Sequence, residues 1–140
     1  IGMCPTQLSA EYIAGDVSVS SHSVPIRTWS HVAAAFGETE TRLYLNGKHV
    51  HTAPPTENKG GTKFVIGNVG DTNHLAFFMG KIRTLRITRG ERYDEDFTPD
   101  EQFEPDNDAV LIYEGDEANG DNVVDLSGHE NHGKWQRFTP

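Results

Sequence analysis

One dipeptide constrains this chain more than any other feature: Asn46-Gly47, set between Leu43-Tyr44-Leu45 and Lys48-His49-Val50. A two-residue type I′ turn holds both central residues at positive φ, which Asn and Gly adopt at low cost. With Leu45 opposite Lys48, the ladder would place Tyr44 opposite His49 and Leu43 opposite Val50. Leu43, Leu45 and Val50 then share one face, while Arg42, Tyr44, His49 and His51 share the other. Turn chemistry and side-chain alternation agree, as a hairpin with one buried face requires.

The rest of the chain repeats this grammar of short runs bounded by turn residues. Residues 28–36, with Trp29-Ser30-His31-Val32-Ala33 at their head, read as a strand leading into the hairpin strands 42–45 and 48–52. Residues 11–18 look extended around a Gly15-Asp16 break, and Phe64-Val65-Ile66 reads as a brief strand ending at Gly67. The longest strand is expected over residues 77–88. There the period of two fails once between Ile82 and Leu85, so either a bulge at Arg83-Thr84 restores the face or the strand is buried on both sides. Phe97-Thr98-Pro99 and Phe103-Glu104-Pro105 predict an extended connector over residues 99–108 that tucks aromatic rings under a sheet edge. Residues 109–113 form a last clear strand, Asp125-Leu126-Ser127-Gly128 a turn, and Lys134-Trp135 the close. No window carries a 3.6-residue stripe, so the expected class is all-β: an antiparallel β-sandwich built as one domain over residues 1–140.

Charge narrows the partners. The chain carries −9 overall, and residues 91–125 hold fourteen Asp/Glu against a single basic residue, Arg92. Nucleic-acid binding needs Lys/Arg to neutralise phosphates, so that class is disfavoured. The acidic third reads first as a solvated face. No run of apolar residues is long enough for a membrane span. The single Cys4 excludes an intrachain disulfide and a Cys-based zinc site, leaving pairing with a segment outside the chain open. A chain opening on Ile1 with no leader pattern is expected to be a piece of something longer.

Together Trp29 to Ala33, Leu43 to Lys48, Ile66-Gly67 and Phe78-Met79-Gly80-Lys81-Ile82 running to Leu85-Arg86-Ile87 carry a resemblance. In order and spacing they resemble the laminin-G-like branch of the concanavalin A-like lectin/glucanase superfamily, a jelly-roll sandwich. Arg92-Tyr93, Phe97-Thr98-Pro99 and the run from Asp125 to Gly133 are similar to a tail found in large bacterial secreted proteins. The resemblance spans about residues 25–135. It departs from the family pattern upstream of Trp29, where neither a Phe-Asp-Gly strand nor a Phe-Thr-hydrophobic-x-x-Trp strand is visible. Either the copy is N-terminally incomplete or it is a shortened variant, and an incomplete sheet would leave an edge open to another chain.

The resemblance implies a non-catalytic recognition or adhesion module, extracellular or periplasmic, that binds a glycan or an extracellular protein. It also implies that Trp29 is core. The alternatives are a structural subunit that completes its sheet with a second chain, or a fragment of a polysaccharide-degrading enzyme. Sugar binding calls for planar polar groups and aromatic platforms, which points to Arg42, Tyr44, His49, His51 and Trp135; cross-strand Tyr/His pairs are equally a common solvent-face covering. Related domains place calcium at the sandwich rim, where Asp71 and Asn73 are the candidate ligands and Asp116, Asn119 and Asp121 form a second oxygen-rich loop. Asp and Asn are also ordinary turn formers.

No catalytic constellation emerges. His129-Glu130-Asn131-His132 has the wrong spacing for a zincin helix, and Gly133 fills the i+4 position. Tyr93-Asp94-Glu95-Asp96-Phe97 lacks the Glu-x-Asp-x-x-Glu alternation of the laminarinase-like enzymes, and Asp106-Asn107-Asp108 reads as a linker turn. Arg83 and Arg86 are expected to pair with nearby acids.

Overall fold

A computed structural model describes residues 24–55, 64–67, 78, 80–115, 118–119 and 121–135. Cys4, residues 11–18, Asp71, Asn73 and Asp116 lie outside the described residues. The described chain is all-β and free of helix, and every strand pairing in it is antiparallel. It divides into two compact units, Ile1–Met79 with Tyr93–Pro99, and Gly80–Arg92 with Asp100–Pro140.

The first unit holds a sheet of three strands in the order β1 (Val32–Phe36), β2 (Thr41–Leu45), β3 (Lys48–Ala53). The Asn-Gly turn forms as its chemistry requires, with φ of 51° at Asn46 and 76° at Gly47. Asn46 does more than turn. Its side-chain Oδ1 accepts the His31 N–H at 2.9 Å, while its own N–H donates to the His31 carbonyl at 2.8 Å. The turn is thereby stitched to the approach of β1.

The hairpin register holds at Leu45↔Lys48 and Tyr44↔His49, then slips by one residue. His51, not Val50, pairs with Leu43, and Thr52 pairs with Arg42. Val50 is the extra residue of a bulge, so His49 and His51 fall to opposite faces instead of sharing one. Both faces of β2 are covered: Thr41 and Leu43 are buried on one side, and Tyr44 on the other at 0% exposure. The sequence expectation that Tyr44 faces solvent is therefore corrected.

Three further expectations change. β1 starts at Val32, so Trp29 precedes the sheet just after a turn and is 64% exposed rather than core. Phe78 and Ile82 are exposed as well. Both fall before β4 (Thr84–Thr88), outside any ladder that could seat them against a facing strand. Phe64 to Gly67 forms no strand; among the described residues its backbone link is the Phe78 N–H to the Gly67 carbonyl at 2.9 Å.

The second unit pairs β4 with β5 (Ala109–Glu114). The irregularity expected near Arg83-Thr84 lies instead between Ile87 and Thr88, where Val110 is the extra residue. A small sheet of β6 (Ala118–Asn119), β7 (Asn122–Val123) and β8 (Gly133–Lys134) completes the unit. Its buried residues are Ala109, Leu111, Ile112, Val123 and the carboxylate-bearing Asp125.

Candidate functional site

The polar hairpin face is occupied by the chain itself. Tyr93–Pro99 crosses it as an irregular strap, which explains why Tyr44 is buried. The Phe97 N–H donates to the Gly47 carbonyl at 2.8 Å, and the Tyr44 hydroxyl donates to the Tyr93 carbonyl at 3.2 Å. Tyr93 and Phe97 stack at 3.6 Å between ring centroids, and Phe97 also contacts Tyr44 and His31. Asp96 anchors the strap: one carboxylate oxygen accepts the His49 N–H at 2.8 Å, the other the Lys48 ammonium at 3.0 Å. Those two donors, the His49 N–H foremost, hold its carboxyl below the ordinary range. The close approach requires glycine, because a Cβ on Gly47 would lie 1.9 Å from the Phe97 carbonyl oxygen. Burial raises the Tyr44 hydroxyl pKa above its ordinary 10.0, with Arg42 opposing and Asp94 and Asp96 adding to the rise.

The remaining residues of that expected face are partly engaged. Arg42 pairs with Glu40 at 2.6 Å. His49 Nε2 lies 3.0 Å from both the His51 carbonyl and the Thr52 hydroxyl. Trp135 belongs to the second unit, just past β8; it is 53% exposed, and its N–H donates to the Asp121 carbonyl. Among the described residues no cluster of three or more His, Cys, Asp or Glu is placed to hold a metal.

Two acidic hubs organise the second unit. Asp106 caps the turn before β5, its Oδ1 accepting the Ala109 and Asp108 N–H groups at 2.8 and 3.1 Å. Its Oδ2 takes Arg86 and Arg92, and these cations push the carboxyl far down from its usual range. Arg86 thus pairs with an acid as expected, and its guanidinium also lies 6.0 Å from the centroid of the Phe103 ring.

Asp125 is the second hub, only 6% exposed. Its Oδ1 accepts the N–H groups of Ile112 and Ser127 at 3.0 and 2.9 Å, and its Oδ2 accepts the Asn131 N–H at 3.0 Å and the Ser127 hydroxyl at 2.8 Å. Burial would raise its carboxyl pKa, but these donors outweigh it and the net shift is downward. Its own N–H donates to His132 Nδ1 at 3.1 Å. The run from Asp125 to Gly133 is therefore a bend folded around a carboxylate, with Gly128 and Glu130 at positive φ, and no zincin helix.

The open concavity of this unit lies elsewhere. A groove of about 670 Å³ is lined by Arg83, Glu101 and Gln102. Gln102 also lines a second cleft of about 210 Å³, together with Arg86, Arg92, Asp100, Glu104, Pro105 and Asp106. Glu101, Gln102 and Glu104 sit in the irregular connector and escaped the sequence reading. Their only signal was a run of polar side chains in a stretch with no period, which marks a loop but not a concavity.

The described fold is all-β with antiparallel ladders throughout. The chain belongs to the concanavalin A-like lectin/glucanases superfamily, whose laminin-G model matches residues 5–96. That match starts upstream of the resemblance read from motifs, and it stops short of the connector and the Asp125 bend. No curated protein and no solved structure matches the chain. Laminin-G-like domains are commonly non-catalytic, typically extracellular, and bind glycans or proteins, while the wider superfamily includes glycosidases. Among the described residues no helix is long and apolar enough to cross a membrane.

Proposed function

We propose that this chain is a non-catalytic recognition or adhesion module of a larger secreted bacterial protein, binding a glycan or an extracellular protein. The observation that carries the reading is the contrast between its carboxylates and its groove. Glycoside cleavage needs one carboxylic acid with a raised pKa to protonate the leaving oxygen. Among the described residues the perturbed carboxylates, Asp96, Asp106 and Asp125, all shift down, because each is occupied by N–H donors or cations. The groove at Arg83, Glu101 and Gln102, by contrast, has polar walls open to a ligand. Incubation with a panel of polysaccharides should yield binding without release of reducing ends. Measurable turnover would overturn the non-catalytic reading.

Exposed Trp135, with Arg42 and His49 beside the strap and His51 on the opposite face of β3, stands as the competing set of sugar contacts. Calcium at Asp71 and Asn73 is retained as a proposal with a direct test, the response of the melting temperature to metal and chelator. A second reading, a subunit that completes its sheet with another chain, is favoured by one feature. Among the described residues β1 is an outer strand, and it shows Val32, Ala34 and Phe36 exposed at alternate positions. Concentration-dependent dimers or higher oligomers in light scattering would support that reading, and a monomer at all concentrations would refute it.

A further inference from the structure

Resting on that reading, we infer that the ligand site is the Arg83–Glu101–Gln102 groove and that its ligand is a neutral polyhydroxylated chain, a saccharide without carboxylates or sulfates. Two of the unit's carboxylates are already spent. Asp106 is saturated by two guanidinium groups and two N–H groups, and Asp125 by three N–H groups and a hydroxyl. Such carboxylates have nothing left to offer a ligand. The side chains of Arg83, Glu101 and Gln102 make no hydrogen bond or ion pair among the described residues, yet all three line one groove. Arg83, expected to pair with a nearby acid, has no such partner among the described residues, so none of its five donors is claimed there.

The composition of the wall selects the ligand. One guanidinium gives only donors, one carboxylate only acceptors, and one amide gives both, for a net charge of zero. A group that donates and accepts at once satisfies all three, and each hydroxyl of a sugar does so through a single oxygen. An anionic sugar would meet Glu101 directly and then Asp100 and Glu104 in the adjoining cleft, whose two cations are already held by Asp106. A cationic ligand would meet Arg83. The adjoining cleft supplies a second, independent sign of an absent partner. Arg86 lines it with a side chain 6% exposed, and the buried Nε–H of Arg86 has no acceptor among the described residues. Gln102, common to both cavities, makes them neighbouring subsites for successive units of one chain. No aromatic ring lines either cavity among the described residues, so recognition runs through hydroxyl edges.

The test is a ¹H–¹⁵N correlation titration of the full chain with cellohexaose, laminarihexaose and mannohexaose, and with oligogalacturonate as the anionic control. Shift changes should cluster at Arg83, Glu101 and Gln102 with at least one neutral hexaose, and oligogalacturonate should bind more weakly. Arg83→Ala and Gln102→Ala sit on exposed side chains and should each weaken binding roughly fivefold, the effect of about one hydrogen bond. Three results would overturn the inference. Neutral-glycan binding that maps elsewhere and ignores both variants would sink the groove while leaving glycan recognition intact. Tighter binding of oligogalacturonate would sink the ligand class alone. Silence toward every sugar at millimolar concentration would remove the site together with glycan recognition itself.

Discussion

Removing the Asp125 carboxylate should cost the second unit more than any other single polar change. The side chain is buried and satisfies the N–H groups of Ile112, Ser127 and Asn131 at once. Asp125→Ala leaves those donors without their acceptor. The Ile112 N–H belongs to a strand residue at 0% exposure, where water is excluded, while Ser127 and Asn131 lie nearer solvent. An orphaned buried donor costs about 1–3 kcal/mol, and two to three partly rescued ones total about 3–5 kcal/mol. Asp125→Asn keeps the shape and one acceptor oxygen, but it turns an NH₂ toward either the Asn131 N–H or the Ile112 and Ser127 N–H groups. That places its cost at about 2 kcal/mol. Urea unfolding followed by circular dichroism reads both, and the order wild type, Asn, Ala should hold at an unchanged m-value. The carboxyl is lowered on folding, so it contributes stability that is present above its ordinary 3.8 and lost as the pH falls through the lower folded value. Acid sensitivity below about pH 4 should therefore shrink in Asp125→Asn. If both variants unfold within about 0.5 kcal/mol of the wild type, the hub is not a determinant of the fold.

Other consequences follow from the strap and the rim. Gly47→Ala drives a Cβ to 1.9 Å from the Phe97 carbonyl at a φ of 76°, so the strap must lift; thermal melting should register a loss of about 2–4 kcal/mol. Tyr44→Phe removes one hydrogen bond to the Tyr93 carbonyl and should cost about 1 kcal/mol. Spectrophotometric titration of the wild type should find two tyrosines, Tyr44 and Tyr113, ionising above the ordinary 10.0, and the Tyr44 ionisation should be missing in this variant. Calcium should raise the melting temperature and chelator lower it if Asp71 and Asn73 bind the ion, and no response to either dismisses them as ligands.

The turn at Asn46-Gly47 was legible because its demand is local: two positive φ values and a side-chain acceptor within reach of His31. The slip at Val50 was not, since either register keeps Leu43 facing inward and alternation alone cannot count an inserted residue. Tyr44 was misplaced for a related reason. A tyrosine across from a histidine suits a wet face, and only the strap fifty residues later dries it. Phe97 was read as an aromatic tucked under a sheet edge, and it packs instead on Tyr44 of the central strand. Trp29, Phe78 and Ile82 show the opposite failure, for apolar identity says what prefers burial and not whether a surface arrives to cover it. The groove was invisible because Glu101 and Gln102 sit in a connector without period, where composition marks a loop but not its curvature.

On the proposed reading, recognition lies in the open groove of the second unit, while Tyr93–Pro99 closes the hairpin face. The sharpest measurement is the affinity of Arg83→Ala and His49→Ala, side by side, for the best-binding neutral hexaose. A weakening confined to Arg83→Ala is predicted, with His49→Ala matching the wild type. The reverse pattern would mean that the strap leaves in solution, and that the hairpin face does the binding after all.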